Sequence, residues 1–424
     1  MLAQGQRRPT LHPILFTLPL PTWEFPLLPA LLALAALGLV VAGYAEWHKA
    51  RALTIFGAAL AGTASFASFS LGQERVRLSD VQVPTWGVLV ALWFVLAWWL
   101  CAENAERAGL DRRWAGNCFV IAALGALLAS RVTYVLVTAH EGPDLDMFAL
   151  RQGGLLGAGA LLGALVAAAW FLRHHQISFW HWLDTSATSL ALGVVLIRVG
   201  CYMHGCDFGV PQGAGAPAWL EALGSFPRWG DPDAAPVFGA AAWVTQVEQG
   251  LLPPERAASL PVQPVQLYEA TLGLGLLLGA WYLTPRRRFH GQVGLTLLFA
   301  YAVMRFVLEA LRGDLARGFF GPHLEPRFYL PIALLLFSAA FAYGPGLSFR
   351  RTRVRVISIG LSTLPAALLA WIAWNSREPV QLSATQWACL PLAFAVAHAW
   401  VRQTSALPRT RPGPNVATSQ EPNL

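Results

Sequence analysis

The chain has 424 residues, 55% of them hydrophobic and only 12% charged, with 18 Trp and a formal net charge of +7. So apolar a composition excludes a soluble domain of this length. The basic residues lie in short clusters between apolar runs rather than along a polar face, which argues against a nucleic-acid partner and makes the bilayer the solvent.

In chain order, Arg7 and Arg8 open a segment interrupted by Pro13, Pro19 and Pro21 before any signal-peptide core forms, so no cleaved leader is expected. Apolar runs of roughly 20 residues, each long enough to cross about 30 Å of hydrocarbon, then recur. They predict spans near 27–45, 52–71, 86–101, 115–138, 153–172, 184–203, 266–285, 290–312, 328–345, 354–375 and 383–402. The expected fold is all-α, a polytopic integral membrane helical bundle of about eleven transmembrane helices. Small residues at Gly154, Gly157, Gly159 and Gly163 mark the fifth span as one that approaches a neighbour closely.

Alternate loops carry the basic clusters: Lys49 and Arg51, Arg107 with Arg112 and Arg113, Arg173, Arg286 to Arg288, Arg350 to Arg355, and Arg402 to Arg411. By the positive-inside rule these loops are cytoplasmic, which places the N-terminus outside, the C-terminus inside and the long loop 206–265 outside.

Charged residues inside apolar spans are costly and demand a partner or a purpose. Arg131 with Tyr134, Arg198, Glu269, and the set Tyr301, Arg305, Glu309 and Arg312 all fall in the outward halves of their spans. The last four are spaced i, i+4, i+8 and i+11, one face of a helix. Four arginines against two glutamates imply surplus positive charge suited to an anionic lipid headgroup, because the planar guanidinium matches a phosphate. A structural Arg305–Glu309 ion pair is the plain alternative. After Arg198 the segment RVGCYMHGCDFG carries glycines, among them Gly200 and Gly209, that break helical regularity at the expected site.

Five cysteines, an odd number scattered mostly in apolar stretches, imply no disulfide framework. Cys201 and Cys206 with His204 fall short of a zinc set, lacking a fourth ligand; an inert pair and a redox pair stay open. No metal and no cofactor are expected.

These segments together resemble the prolipoprotein diacylglyceryl transferases. VPTWGVLVALWFVLAWWL with AERAGLD, GALLASRVTYVL, DTSATSLALGVVLIRVG, PVQPVQLYEA and YAVMRFVLEALR follow that family's order and spacing. The resemblance implies a core at 84–345, an N-terminal extension 1–83 and a C-terminal extension 346–424, each extension with about two helices. It implies transfer of a diacylglyceryl group from phosphatidylglycerol to the lipobox cysteine of a lipoprotein precursor, at the outer leaflet of the bacterial inner membrane. Arg198, Arg305, Glu269, Glu309 and His204 are then the catalytic candidates. Arg131, Tyr134, Gly200, Gly209, Tyr301, Arg312 and Trp86 are the lipid-binding ones. The sequence departs from the family at Ala158, where the family has His, at Trp86 for Tyr, and at Cys201 for the signature Asn, with Cys206 standing near the position of the signature Glu. These departures keep open a related lipid transferase with another acceptor and a non-catalytic binder of membrane lipids.

Overall fold

The computed structural model describes residues 14–18, 23–26, 36, 40, 75–78, 81–138, 157–213, 215–229, 238–314, 319, 321–348 and 380–406. Strands β1 (Ile14–Leu18) and β2 (Trp23–Pro26) pair antiparallel with β4 (Val81–Pro84) and β3 (Arg75–Leu78), respectively. Helices α1 (Thr85–Arg107), α2 (Arg112–Thr138), α3 (Gly157–His174) and α4 (Phe179–His204) follow. The connection after α4 holds α5 (Ala218–Gly224), a β5–β6 ladder (Arg228–Trp229 with Phe238–Gly239) and α6 (Ala241–Glu248). Then come α7 (Val265–Leu283), α8 (Gln292–Glu309), α9 (Pro326–Tyr343) and α10 (Ala384–Ser405). The protein is mostly helical, in line with the expected helical bundle, and adds three short two-stranded ladders whose strands of two to five residues are too short to leave a period-2 signal.

Five of the described helices are long and apolar enough to cross a membrane: Thr85–Arg107, Arg112–Leu136, Phe179–His204, Gln292–Glu309 and Pro326–Tyr343. Their outward surfaces present Leu128, Leu136, Leu335 and other large apolar side chains, a surface suited to lipid rather than water. The expected spans at 27–45, apart from Ala36 and Val40, at 52–71 and at 354–375 lie outside the described residues.

Local chemistry explains the helix ends. Ser178 caps α4, accepting from the His181 N–H, and Gly205 closes it in the left-handed conformation at φ 74°. A reciprocal Ser383–Gln386 capping box starts α10. Asp184 on α4 performs a cap for another helix: its carboxylate accepts from the backbone N–H groups of Gly291 (2.8 Å), Val293 (2.8 Å) and Gly294 (3.0 Å) at the start of α8.

The α2–α3 contact is built on small residues. A Cβ on Gly163 would lie 2.1 Å from the Gly125 carbonyl oxygen, and one on Gly159 would lie 2.4 Å from the Thr133 hydroxyl. Glycines at these points let the two backbones touch, as the spacing of small residues implied. Gly163→Leu is therefore expected to push α3 off α2 at a cost of about 1–3 kcal/mol. Thermal unfolding in detergent measures it, and an unchanged melting temperature would contradict this packing.

On the other side of the molecule α8, α9 and α10 share one apolar core that includes Phe299, Phe306, Phe337, Ala397 and Trp400. The Gln386 side chain on α10 donates to the Phe306 carbonyl of α8 (3.4 Å). α10 is thus packed into the bundle against α8, beside Phe306.

Candidate lipid-phosphate site

The charged residues singled out along α4, α7 and α8 converge at one end of the bundle. Arg198 near the end of α4 pairs with Glu269 on α7 through Nε (3.0 Å), and Glu269 also holds Arg305 of α8 (3.3 Å). Arg305 holds Glu309 one turn on (2.7 Å), and Arg312, just past α8, lies 3.8 Å from Glu309. Asp207 closes the circuit: one oxygen accepts from Arg312 (2.7 Å) and the other from Arg198. The order is Arg198–Asp207–Arg312–Glu309–Arg305–Glu269 and back, alternating in sign throughout. Asp314 adds a further pair of bonds to Arg312, at 2.8 and 2.5 Å.

The helical-face spacing read for Arg305, Glu309 and Arg312 accounts for the α8 side of the circuit, while Asp207 and Asp314 are the residues sequence reasoning missed. They overturn one expectation. Among the described residues the assembly contains three guanidiniums and four carboxylates, so it carries no surplus positive charge. Arg131, counted with it from sequence, stands outside the circuit on α2, with its guanidinium over the Tyr134 ring at 5.3 Å.

Glu269 and Glu309 are each 1% exposed and Arg305 is 6% exposed, so the charges are desolvated and depend on one another. The second Glu269 oxygen, Oε1, is buried with no hydrogen-bond partner among the described residues. So is Oε1 of Gln266, one turn earlier on α7, whose amide nitrogen donates to the Cys206 carbonyl (2.6 Å). Tyr301, on α8 one turn before Arg305, feels the charges of Glu269, Arg305 and Arg198. At Asp207 burial favours the neutral acid, but Arg198, Arg312 and Arg305 outweigh it and hold the carboxyl below its ordinary range.

Backbone contacts fix the loop that carries Asp207. Gly209 N–H donates to the Gln263 carbonyl (3.0 Å), Val210 N–H to Leu311 (2.9 Å), and Gly313 N–H to Phe208 (2.9 Å). The loop thus lies between the strand-like approaches to α7 and the exit of α8. A Cβ on Gly209 would come within 2.4 Å of the Gln263 carbonyl oxygen, which makes glycine obligatory there. Gly200 lets Trp86 of α1 approach α4, with a built Cβ only 3.0 Å from the indole. His204 takes no part in the circuit: it is exposed, and its imidazole packs against Trp229 with centroids 5.4 Å apart. Being last in α4, it turns toward the β5–β6 ladder. The side chain of Ala158 lies outside the described residues.

Three guanidiniums held by carboxylates at the end of membrane helices form an arrangement that can exchange a protein carboxylate for a phosphate. The comparisons agree with that chemistry. The family model described as prolipoprotein diacylglyceryl transferase matches residues 73–344. Among the relatives, the phosphatidylglycerol–prolipoprotein diacylglyceryl transferase of Chromohalobacter salexigens is 28% identical over 241 residues, covering 56% of this chain and 78% of its own. That of Thermus thermophilus is 28% identical over 239 residues (55% and 81%), and that of Symbiobacterium thermophilum 24% over 311 residues (72% and 93%). With the circuit residues Arg198, Asp207, Glu269, Arg305, Glu309 and Arg312 all inside the matched segment, the chain belongs to the prolipoprotein diacylglyceryl transferase family.

Proposed function

We propose that this enzyme transfers a diacylglyceryl group from phosphatidylglycerol to the thiol of a lipobox cysteine in a lipoprotein precursor. The observation that carries the reading is the buried circuit: it sets Arg198 and Arg305 on either side of Glu269, on residues the family model covers. The two arginines bind the lipid phosphate, and Arg312 lies within reach of the same anion. As the acceptor sulfur attacks the glyceryl carbon, the carbon–oxygen bond to phosphate breaks and glycerol phosphate leaves. The guanidiniums stabilise the charge that gathers on the departing oxygen, the term such reactions depend on most.

Deprotonation of the acceptor thiol falls to Glu269. Its oxygen Oε1 is buried and has no hydrogen-bond partner among the described residues, whereas His204 faces Trp229 and solvent. Glu309 neutralises and orients Arg305 and Arg312. Tyr301, Gly200, Gly209 and Trp86 shape the walls, and Arg131 with Tyr134 contributes a more distant lipid contact.

The site opens at the outer leaflet of the bacterial inner membrane, in a bundle of about eleven spans with its N-terminus outside and its C-terminus in the cytoplasm. The core extends over 84–345, flanked by extensions 1–83 and 346–424, and α10 of the latter buttresses α8.

Complementation of a bacterium depleted of its own diacylglyceryl transferase, with mass analysis of a lipoprotein's N-terminal cysteine, tests the reading. Diacylglyceryl on that cysteine is the expected result. An expressed, folded protein that leaves it bare would redirect the assignment to another acceptor or to lipid binding without transfer.

A further inference from the structure

The end of α4 brings together two thiols that the proposed transfer does not use. Gly205 N–H donates to the Tyr202 carbonyl (3.1 Å) and Cys206 N–H to the Cys201 carbonyl (3.2 Å), the paired bonds of a Schellman cap. Such a cap sets the side chains of its first and last residues against each other, a contact apolar groups ordinarily fill. Here they are Cys201 and Cys206, both free thiols, and their sulfurs and an Asp207 carboxylate oxygen all lie within 4.8 Å of one another. Cys206 is partly exposed, whereas Cys101, Cys118, Cys201 and Cys389 are buried.

Asp207 follows immediately. It is held at a positive φ of 56°, strained for a residue with a side chain, and its two oxygens occupy Arg198 and Arg312. An anion on those guanidiniums must displace it, so Asp207 acts as an internal stopper whose position depends on the cap beside it. The same two sulfurs are poorly placed for a metal ion, because both oxygens of the carboxylate that neighbours them among the described residues are engaged by arginines.

We propose that Cys201 and Cys206 are a dithiol modification site, and that their oxidation by an external disulfide locks Asp207 onto the arginines and shuts the phosphate site. This rests on the reading of Arg198 and Arg305 as the lipid-phosphate site. Cys206 loses its proton and attacks one sulfur of the oxidant, releasing the first thiol. Cys201 then loses its proton and attacks the Cys206 sulfur of the mixed disulfide, releasing the second. The protein gains one S–S bond, and the oxidant's S–S bond is reduced to two thiols. Hydrogen bonding to Cys201, and then burial, raise the Cys206 thiol above its ordinary range, so the exchange quickens as pH rises. Because the transfer consumes an acceptor thiol, such a gate would halt lipid use under the conditions that oxidise the acceptor.

The test uses the full chain in nanodiscs of phosphatidylcholine, equilibrated with reduced or oxidised glutathione, with phosphatidylglycerol binding and peptide masses as readouts. Oxidation is expected to link Cys201 to Cys206 and lower the apparent lipid affinity at least about tenfold, as confinement to the closed state requires. Dithiothreitol should restore it, and Cys206→Ser should bind lipid but not respond to the oxidant. Thiols that stay free after oxidation, or a disulfide that leaves affinity unchanged, would overturn the gate alone. Reduced protein that binds no phosphatidylglycerol would overturn the site reading and the gate with it. Should Cys206→Ser misfold, Cys201→Ala serves the same comparison.

Discussion

Arg305→Ala is expected to abolish diacylglyceryl transfer. Arg305 stands between Glu269 and Glu309 in the circuit and pairs with both, and both carboxylates are almost wholly buried. Its removal takes one partner from each of these two desolvated carboxylates, at up to about 3–5 kcal/mol of stability. It also removes a guanidinium from the phosphate, worth about 2–5 kcal/mol or roughly a thirtyfold loss at the least. The two effects separate on comparison with Glu309→Gln, which relieves the buried charge on that side while leaving Arg305 attached to Glu269. Transfer to a cysteine peptide, measured beside thermal unfolding, distinguishes them. An Arg305→Ala protein that transfers at near the unmodified rate would refute the phosphate role.

The second large effect lies at the opposite end of the same helices. Asp184→Ala should lower stability by about 3 kcal/mol or more, because three backbone N–H groups at the start of α8 lose a charged acceptor in a buried setting. Asp184→Asn, which retains one acceptor oxygen, should lose less. Hydrogen exchange resolves the loss to Gly291, Val293 and Gly294, whose protection should collapse before that of the rest of α8. Uniform protection in the alanine variant would show that these bonds contribute little.

Much of this site was legible because the bilayer makes charge conspicuous. Arg198, Glu269, Arg305 and Glu309 stand out in apolar runs, and the turn-by-turn spacing on α8 predicts their common face. Asp207 and Asp314 gave no such signal, since a carboxylate in a Gly-containing polar loop is ordinary wherever it points. Missing them reversed the inferred charge balance. Intramembrane depth marks Arg131 as paired or functional, but depth does not say which neighbour its helix faces; α2 packs on α3, and the guanidinium lies over Tyr134. Asp184 was not singled out, because its role as a cap for α8 depends on a helix more than a hundred positions away. The ladders that join residues 14–26 to residues 75–84 are equally remote in sequence and consist of strands of four or five residues. His204 was plausible by proximity in sequence alone; the helix end turns it toward Trp229.

The attachment of α4 to α8 at both extremities has a further consequence. Asp184 fastens their starts, and Asp207, bridging Arg198 and Arg312, fastens their finishes. While Asp207 bridges the two arginines, two rods joined at each end cannot slide past one another. When the surrounding bilayer thickens or thins, this pair therefore meets the mismatch by tilting together or by deforming the lipid around it, at a cost of fractions of a kcal/mol per ångström. The height of the proposed phosphate site above the membrane midplane is consequently set by the protein before lipid binds, and a lipid in a bilayer of different thickness must rise or sink to reach it.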